Sequence, residues 1–340
     1  MGNVIVPNIT RTPVENGSNW GSVAGVAPPA EGDPAITSVT GTVTEGSTLT
    51  LAGTGFGVGG PAIVYDTVEN QPAYDGLVDG DEILYSPAVP AAPWEDHAYN
   101  YDDLFLETTG GPTGSSKHYK SAVGGKSFVS WATAQAGTTQ RELYVNWRYK
   151  PSVGPYSNGG SNKHIRIWDA ESGLKTRISW TSMHMTYGPQ GAGQTSWGSW
   201  SGNDNAWNLM EIWANATTGR IVARTNGLTK HDVSDFVEVS TTEGLKVKLI
   251  GFDASVGGNY PTMITELDNI VVQPTRARVE LSDSATYDLT STREIQEVGT
   301  WTDGNAITLN LRKGEVSSLS GAYLYVIDAN GNVNTSGYQI

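Results

Sequence analysis

The sequence predicts an all-β protein built of sandwiches, on three observations. Short runs rich in Val, Ile, Thr, Tyr and Trp recur between Gly, Asn and Asp, at residues 48–51, 142–149, 164–168, 209–213, 246–252 and 323–327. Apolar and polar residues alternate within these runs with a period of two, and long helical periodicity is missing. Gly (41) and Pro (16) punctuate the 340 residues well below the ~25–30% that marks disorder, while 38% hydrophobic residues suffice for a core.

Residues 1–34 form the first element, an extended N-terminal arm, because Pro13, Pro28, Pro29 and Pro34 interrupt any ladder or helix. It carries Val4, Ile5, Val6 and Trp20, which are costly to leave in water, so the arm is expected to order against a neighbouring subunit; a loose terminus is the alternative. Strand texture begins at Ala35.

The segment Ala35-Ile36-Thr37-Ser38-Val39-Thr40-Gly41, followed by Glu45-Gly46-Ser47-Thr48-Leu49-Thr50-Leu51-Ala52-Gly53-Thr54-Gly55-Phe56-Gly57, resembles the opening of an IPT/TIG immunoglobulin-like domain. Strands that would complete such a domain come only at residues 277–281, 307–311 and 322–331. The resemblance implies an Ig-like β-sandwich split into residues 35–57 and 276–340, with residues 58–275 inserted at a turn. The insert is similar in length and texture to a concanavalin A-like jelly roll, with an acidic segment at 65–69, a turn at Gly125-Lys126-Ser127 and a closing strand at 266–272. Chains joining these two parts resemble structural proteins of tailed bacteriophages, a likeness carried most clearly by residues 323–334 with Gly337-Tyr338. That resemblance implies a virion component.

Charge and composition narrow the partners. With 21 Lys+Arg against 35 Asp+Glu the net charge is −14 and no basic run occurs, so no nucleic-acid partner is expected. The absence of Cys removes disulfides, thiolate nucleophiles and Cys-based metal sites. No stretch of ~18 apolar residues predicts membrane insertion, and residues 1–7 show neither a basic leader nor a long apolar core, so assembly in the host cytoplasm is expected.

Alternation places Tyr144, Asn146, Arg148 and Lys150 on one strand face, and His164, Arg166 and Trp168 on another. Reading residues 180–186 as one strand adds Trp180 and His184. If these strands are neighbours, a single face collects Arg148, His164, Arg166, Trp180 and His184, which suits acidic sugars: Trp stacks on a pyranose and Arg forks onto a carboxylate. A solvated face with ordinary cross-strand pairs is the default. A lyase would draw on Tyr144, Arg148, His164 and Arg166, but the Gln-Ile-His signature of such enzymes is missing. A glycosidase needs paired carboxylates, and neither Glu211-Ile212-Trp213 nor Glu266-Leu267-Asp268 has the third acid of the laminarinase pattern. Glu211 reads instead as an inward-facing acid with a buried partner such as Arg224.

Two loops complete the candidates. Residues 187–207 carry Tyr187, Trp197 and Trp200 among Gly and Ser, so the two indoles either form a sugar or protein contact or fold back over the core. No cofactor is expected; Asp96, Asp102 and Asp103 offer oxygens for a structural calcium ion, although solvated acids are the default. The resulting expectation is a non-enzymatic virion surface protein, first a capsid decoration or cement protein docking through its arm and Ig-like part on major capsid or tail proteins and on copies of itself. Its glycan- or partner-binding residues would be Trp197, Trp200, Tyr187, Trp180, His184, Arg148 and Arg166. A tail-associated adhesin that binds cell-surface glycans is the second expectation, and a capsule polysaccharide lyase or hydrolase the third.

Overall fold

A computed structural model describes residues 32–86, 88–95, 103–124, 127–154, 162–170, 173–240, 242–254, 262–302 and 304–340. The expected arm residues Val4, Ile5, Val6 and Trp20, and the expected calcium ligands Asp96 and Asp102, lie outside these. Among the described residues there is no α-helix, only strands and two short 3₁₀ turns.

In chain order the first strands are β1 (Ala35–Thr40), β2 (Thr48–Thr54), β3 (Val64–Asp66), β4 (Trp94–Glu95), β5 (Leu104–Glu107), β6 (His118–Ser121) and β7 (Phe128–Ala132). Next come β8 (Glu142–Pro151), β9 (Asn162–Trp168), β10 (Thr176–Thr181), β11 (His184–Pro189), β12 (Gln194–Trp197), β13 (Asn208–Asn215), β14 (Arg220–Thr225) and β15 (Leu228–Val233). The last are β16 (Lys246–Ala254), β17 (Thr265–Gln273), β18 (Arg278–Ser282), β19 (Arg293–Ile295), β20 (Glu297–Thr302), β21 (Ala306–Asn310), β22 (Tyr323–Ile327) and β23 (Tyr338–Gln339).

Two antiparallel sheets form a large sandwich. One has seven strands in the order β12-β11-β10-β9-β16-β7-β4; the other has eight, β15-β14-β13-β8-β17-β6-β5 with β3 also on β17. Alternation explains the core between them: Trp147 and Tyr149 of β8, Ile165 and Ile167 of β9, and Met210 and Ile212 of β13 all point inward. The acidic segment at 65–69 acts as a lock on this core. Buried Asp66 accepts hydrogen bonds from Trp94 Nε1 (2.7 Å) and Tyr119 Oη (2.6 Å).

The small sandwich joins distant parts of the chain. Its sheets run β1-β2-β21-β20 and β19-β18-β22-β23, and Leu49 and Leu51 pair with Leu309 and Ile307. These side chains share one core with Phe56, Val279, Leu281, Leu324 and Val326. Gly53 is required there, since a Cβ would stand 2.1 Å from the Ala35 carbonyl and 2.4 Å from the Phe56 ring.

The small sandwich covers the outer face of the eight-stranded sheet. Tyr144, Trp213, Val222 and Val271 pack there with Ile295, so the row Tyr144, Asn146 and Arg148 is buried rather than solvated as the default held.

Candidate functional site

Charge crosses this seam in a closed network. Arg293 donates from Nη2 to Glu211 (3.0 Å) and from Nη1 to Glu280 (2.8 Å), while Arg278 Nε donates to Glu280 (2.6 Å). Tyr144 Oη donates to the other oxygen of Glu211 at 3.0 Å, and Glu211 stands opposite Arg224 in register. Burial pushes the Glu280 carboxyl up, but Arg278 and Arg293 outweigh it and hold it at about 2. Burial likewise raises Glu211, and Arg293 and Arg224 reverse the sign. Each carboxylate is thus matched by cations, as burial of charge demands. Glu211 is not inward-facing, since Met210 and Ile212 take the core side of β13, but it is buried in the seam with Arg293 as well as Arg224 as partners.

The seven-stranded sheet presents its outer face differently. One transverse row runs Thr195, Thr186, Ser179, Arg166, Leu249 and Ser130 across six strands. A parallel row runs Gly188, Arg177, Trp168 and Lys246. On the other side of the first row, Trp197 pairs with His184, and Lys163 pairs with Thr181 on one neighbour and Asp253 on the other. The face is most open at its β12 edge, where Trp197 is 71% exposed with the His184 ring 5.1 Å from its own.

Cations concentrate toward the middle. Lys175 lies 4.3 Å and Arg177 5.1 Å from the Trp168 ring centroid, and Lys248 lies 4.3 Å from that of Trp131. Trp131 reaches this position through a φ of +42°, rare for a bulky side chain, which sets its ring 5.9 Å from Trp168. Six cations among the described residues share the face: Lys163, Arg166 and Arg177, which are half-buried, and Lys175, Lys246 and Lys248, which are buried. Among the described residues two carboxylates pair with them, Asp253 with Arg166 (3.0 Å) and Lys163 (3.6 Å), and Glu243 with Lys246 (2.9 Å). Burial, then the neighbouring Arg166, lowers the Lys163 ammonium to about 8.

The expected single cluster is dispersed. Tyr144 and Arg148 are in the seam, where Arg148 donates to Glu294 at 3.0 Å, whereas Arg166 is on the opposite outer face of the same sandwich. His164 is on neither. A bulge between Ile165 and Lys163 turns its ring inward, 5.2 Å from Tyr149 and 5.9 Å from Trp180. Burial there drives its imidazole down to about 3, so it is neutral and enclosed. The four residues named for a lyase do not converge.

Trp180 also faces the core, because residues 180–186 are two strands and not one. Thr181 Oγ1 accepts the His184 N–H at 3.0 Å and closes the turn between them. His184 begins the next strand on the open face. The two loop indoles separate as well: Trp197 is exposed, whereas Trp200 packs on the large core, 5.8 Å from Tyr149. Tyr187 is a core residue whose hydroxyl donates to Asp235 at 2.8 Å. Asp103 is described, and among the described residues no three His, Asp or Glu gather as a metal site would require. The sequence reading missed Arg177, Lys246 and Lys248 as partners of Trp168; their alternation with Ile178 and Val247 was the available signal.

No protein-family model and no curated protein matches the chain. Among solved structures it is similar to "Cellulose induced protein, Cip1", at 19% identity over 51% of this chain and 85% of that one, TM-score 0.38. It is similar to domain 4 of AbnA, an extracellular arabinanase from Geobacillus stearothermophilus in complex with arabinotriose, at 12% identity over 64% and 96%, TM-score 0.36. A third likeness, to the alginate lyase from Corynebacterium sp., has 14% identity over 57% and 90%, TM-score 0.29. Scores this low transfer neither family nor activity, and the β-sandwich fold is read from the chain's own sheets.

Proposed function

We propose that the protein is a non-catalytic binding protein whose large sandwich takes an anionic polysaccharide on the outer face of the seven-stranded sheet. One observation carries this reading: six of the chain's 21 Lys and Arg share that face with Trp168, Trp131 and the exposed Trp197, on a molecule of net charge −14. Lys163, Arg166 and Arg177 are half-buried and reach solvent, with buried Lys175, Lys246 and Lys248 adding positive field beneath them. Such a face suits a repeating carboxylate or sulfate, and the exposed indole at the edge supplies a stacking surface for a sugar ring. The dispersal of Tyr144, Arg148, His164 and Arg166 favours binding over elimination chemistry.

Affinity electrophoresis against acidic and neutral polysaccharides tests this. Retardation by an acidic polymer is expected, weakened about tenfold in Trp197→Ala and in Arg166→Ala, the scale of ~1.4 kcal/mol for a lost stacking or charged contact. Equal mobility in all gels would refute the site. Unsaturated uronate in the incubated polymer would refute the non-catalytic part.

We place this activity on a phage particle, as a head decoration protein ahead of a tail-associated adhesin. Support comes from the sequence likeness of residues 35–57 to an IPT/TIG domain, from that of residues 323–334 to phage virion proteins, and from the apolar residues of the arm. Immunogold labelling of purified particles tests the location, and particles without label would remove it.

A further inference from the structure

A cavity of about 310 Å³ opens on the seam between the sandwiches, away from the cationic face. It is lined by Trp207, Arg148, Leu209, Leu289, Asn203 and Glu315, among others. The size is that of a small-molecule pocket at an interface between packed units.

Its groups are held in place. Trp207 is half-buried, its Nε1 donating to the Gly110 carbonyl at 3.0 Å, with the His118 ring edge-on at 5.4 Å and Lys150 Nζ 5.5 Å from its centroid. Glu315 accepts the Thr113 N–H through Oε1. Arg148 is more than nine-tenths buried, yet both its hydrogen bonds leave from Nη2, to the Arg293 carbonyl (2.9 Å) and to Glu294 (3.0 Å). Its Nε and Nη1 have no protein partner among the described residues. Those two nitrogens keep contact with solvent, so Arg148 offers donors of fixed position to acceptor oxygens that enter the cavity.

We infer that this cavity binds one neutral pyranose residue. The indole and the two leucines suit the C–H face of a sugar ring, Arg148 donates to hydroxyl or ring oxygens, and Glu315 accepts from hydroxyls. Charge decides against a carboxylated sugar: of the two lining guanidiniums, Glu294 balances Arg148 while Glu211 and Glu280 hold Arg293, and Glu315 adds a negative charge to the lining. The site is independent of the cationic face, and different probes and variants test the two.

Saturation-transfer NMR and calorimetry with methyl glucoside, galactoside and mannoside, and with glucuronic acid, decide it on the full chain. At least one neutral glycoside binds with a Kd near ~1 mM, and glucuronic acid binds at least about tenfold more weakly. Trp207→Ala weakens the neutral ligand about tenfold or more, Trp207→Phe keeps it within about threefold, and Trp197→Ala leaves it unchanged. Should Trp207→Ala fail to fold, Glu315→Gln decides, with an expected loss of about threefold or more. No neutral glycoside binding at ~50 mM, far above the expected Kd, overturns the inference, as does unchanged affinity in the deciding variant or preference for glucuronic acid.

Discussion

On the eight-stranded sheet the outward residues Tyr144, Arg148, Glu211 and Arg224 are covered by the small sandwich and joined to Arg278, Glu280 and Arg293. On the seven-stranded sheet the outward row from Arg166 to Thr195 runs out to a solvent-exposed edge beside Trp197. Both begin as strands whose polar residues point away from one shared core. The buried face balances each acid with a base, whereas the other face sets its cations against indoles as well as acids, with Lys175 and Lys248 buried over Trp168 and Trp131 and only its β12 edge fully open. Burial of charge is tolerable only where a partner group answers it.

The largest test of this contrast is Arg293→Ala. It strands Glu211 and Glu280 without their shared guanidinium, and a loss of about 3–5 kcal/mol in unfolding free energy is expected from urea midpoints. Arg220→Ala removes an exposed pair with Asp232 on the same sheet and should cost at most about 1 kcal/mol. Similar losses in the two would erase the distinction between the seam and the surface.

A smaller effect follows from the bulge that takes His164 off the open face. Its folded imidazole is depressed to about 3, by burial and then by His231, against ~6.5 in the unfolded chain. The unfolded state therefore binds the extra proton, and stability present above ~6.5 is lost as pH falls toward about 3. Tm should drop more between about pH 7 and about pH 4 in the native chain than in His164→Phe; parallel curves would return His164 to the surface.

The smallest effect concerns Lys163. Depressed to about 8, it sheds its charge as pH rises through that value, and a polyanion prefers the protonated form. Binding to an acidic polysaccharide should weaken about two- to threefold between about pH 7 and about pH 9, a step that Lys163→Arg removes. A pH-independent native protein would exclude Lys163 from the site.

Several features were legible because they depend on neighbours in sequence. Residues 142–149 and 164–168 form β8 and β9, Trp147 and Ile165 face the core, and Glu211 is buried with cations. The errors came from one extra residue at a time. The bulge at His164 reversed a face, and the turn after Thr181 split what read as one strand and sent Trp180 inward. Alternation cannot register either event, since a one-residue slip exchanges the two faces.

The sequence by itself determined the all-β class, the strands and the side of each that carries apolar residues, because side-chain direction repeats every two residues. Only the tertiary structure decided which polar side would be wet. That depended on strands 276 and beyond returning to cover β8 and β13 and leaving β9 and β10 uncovered by them, a long-range choice that no local period encodes.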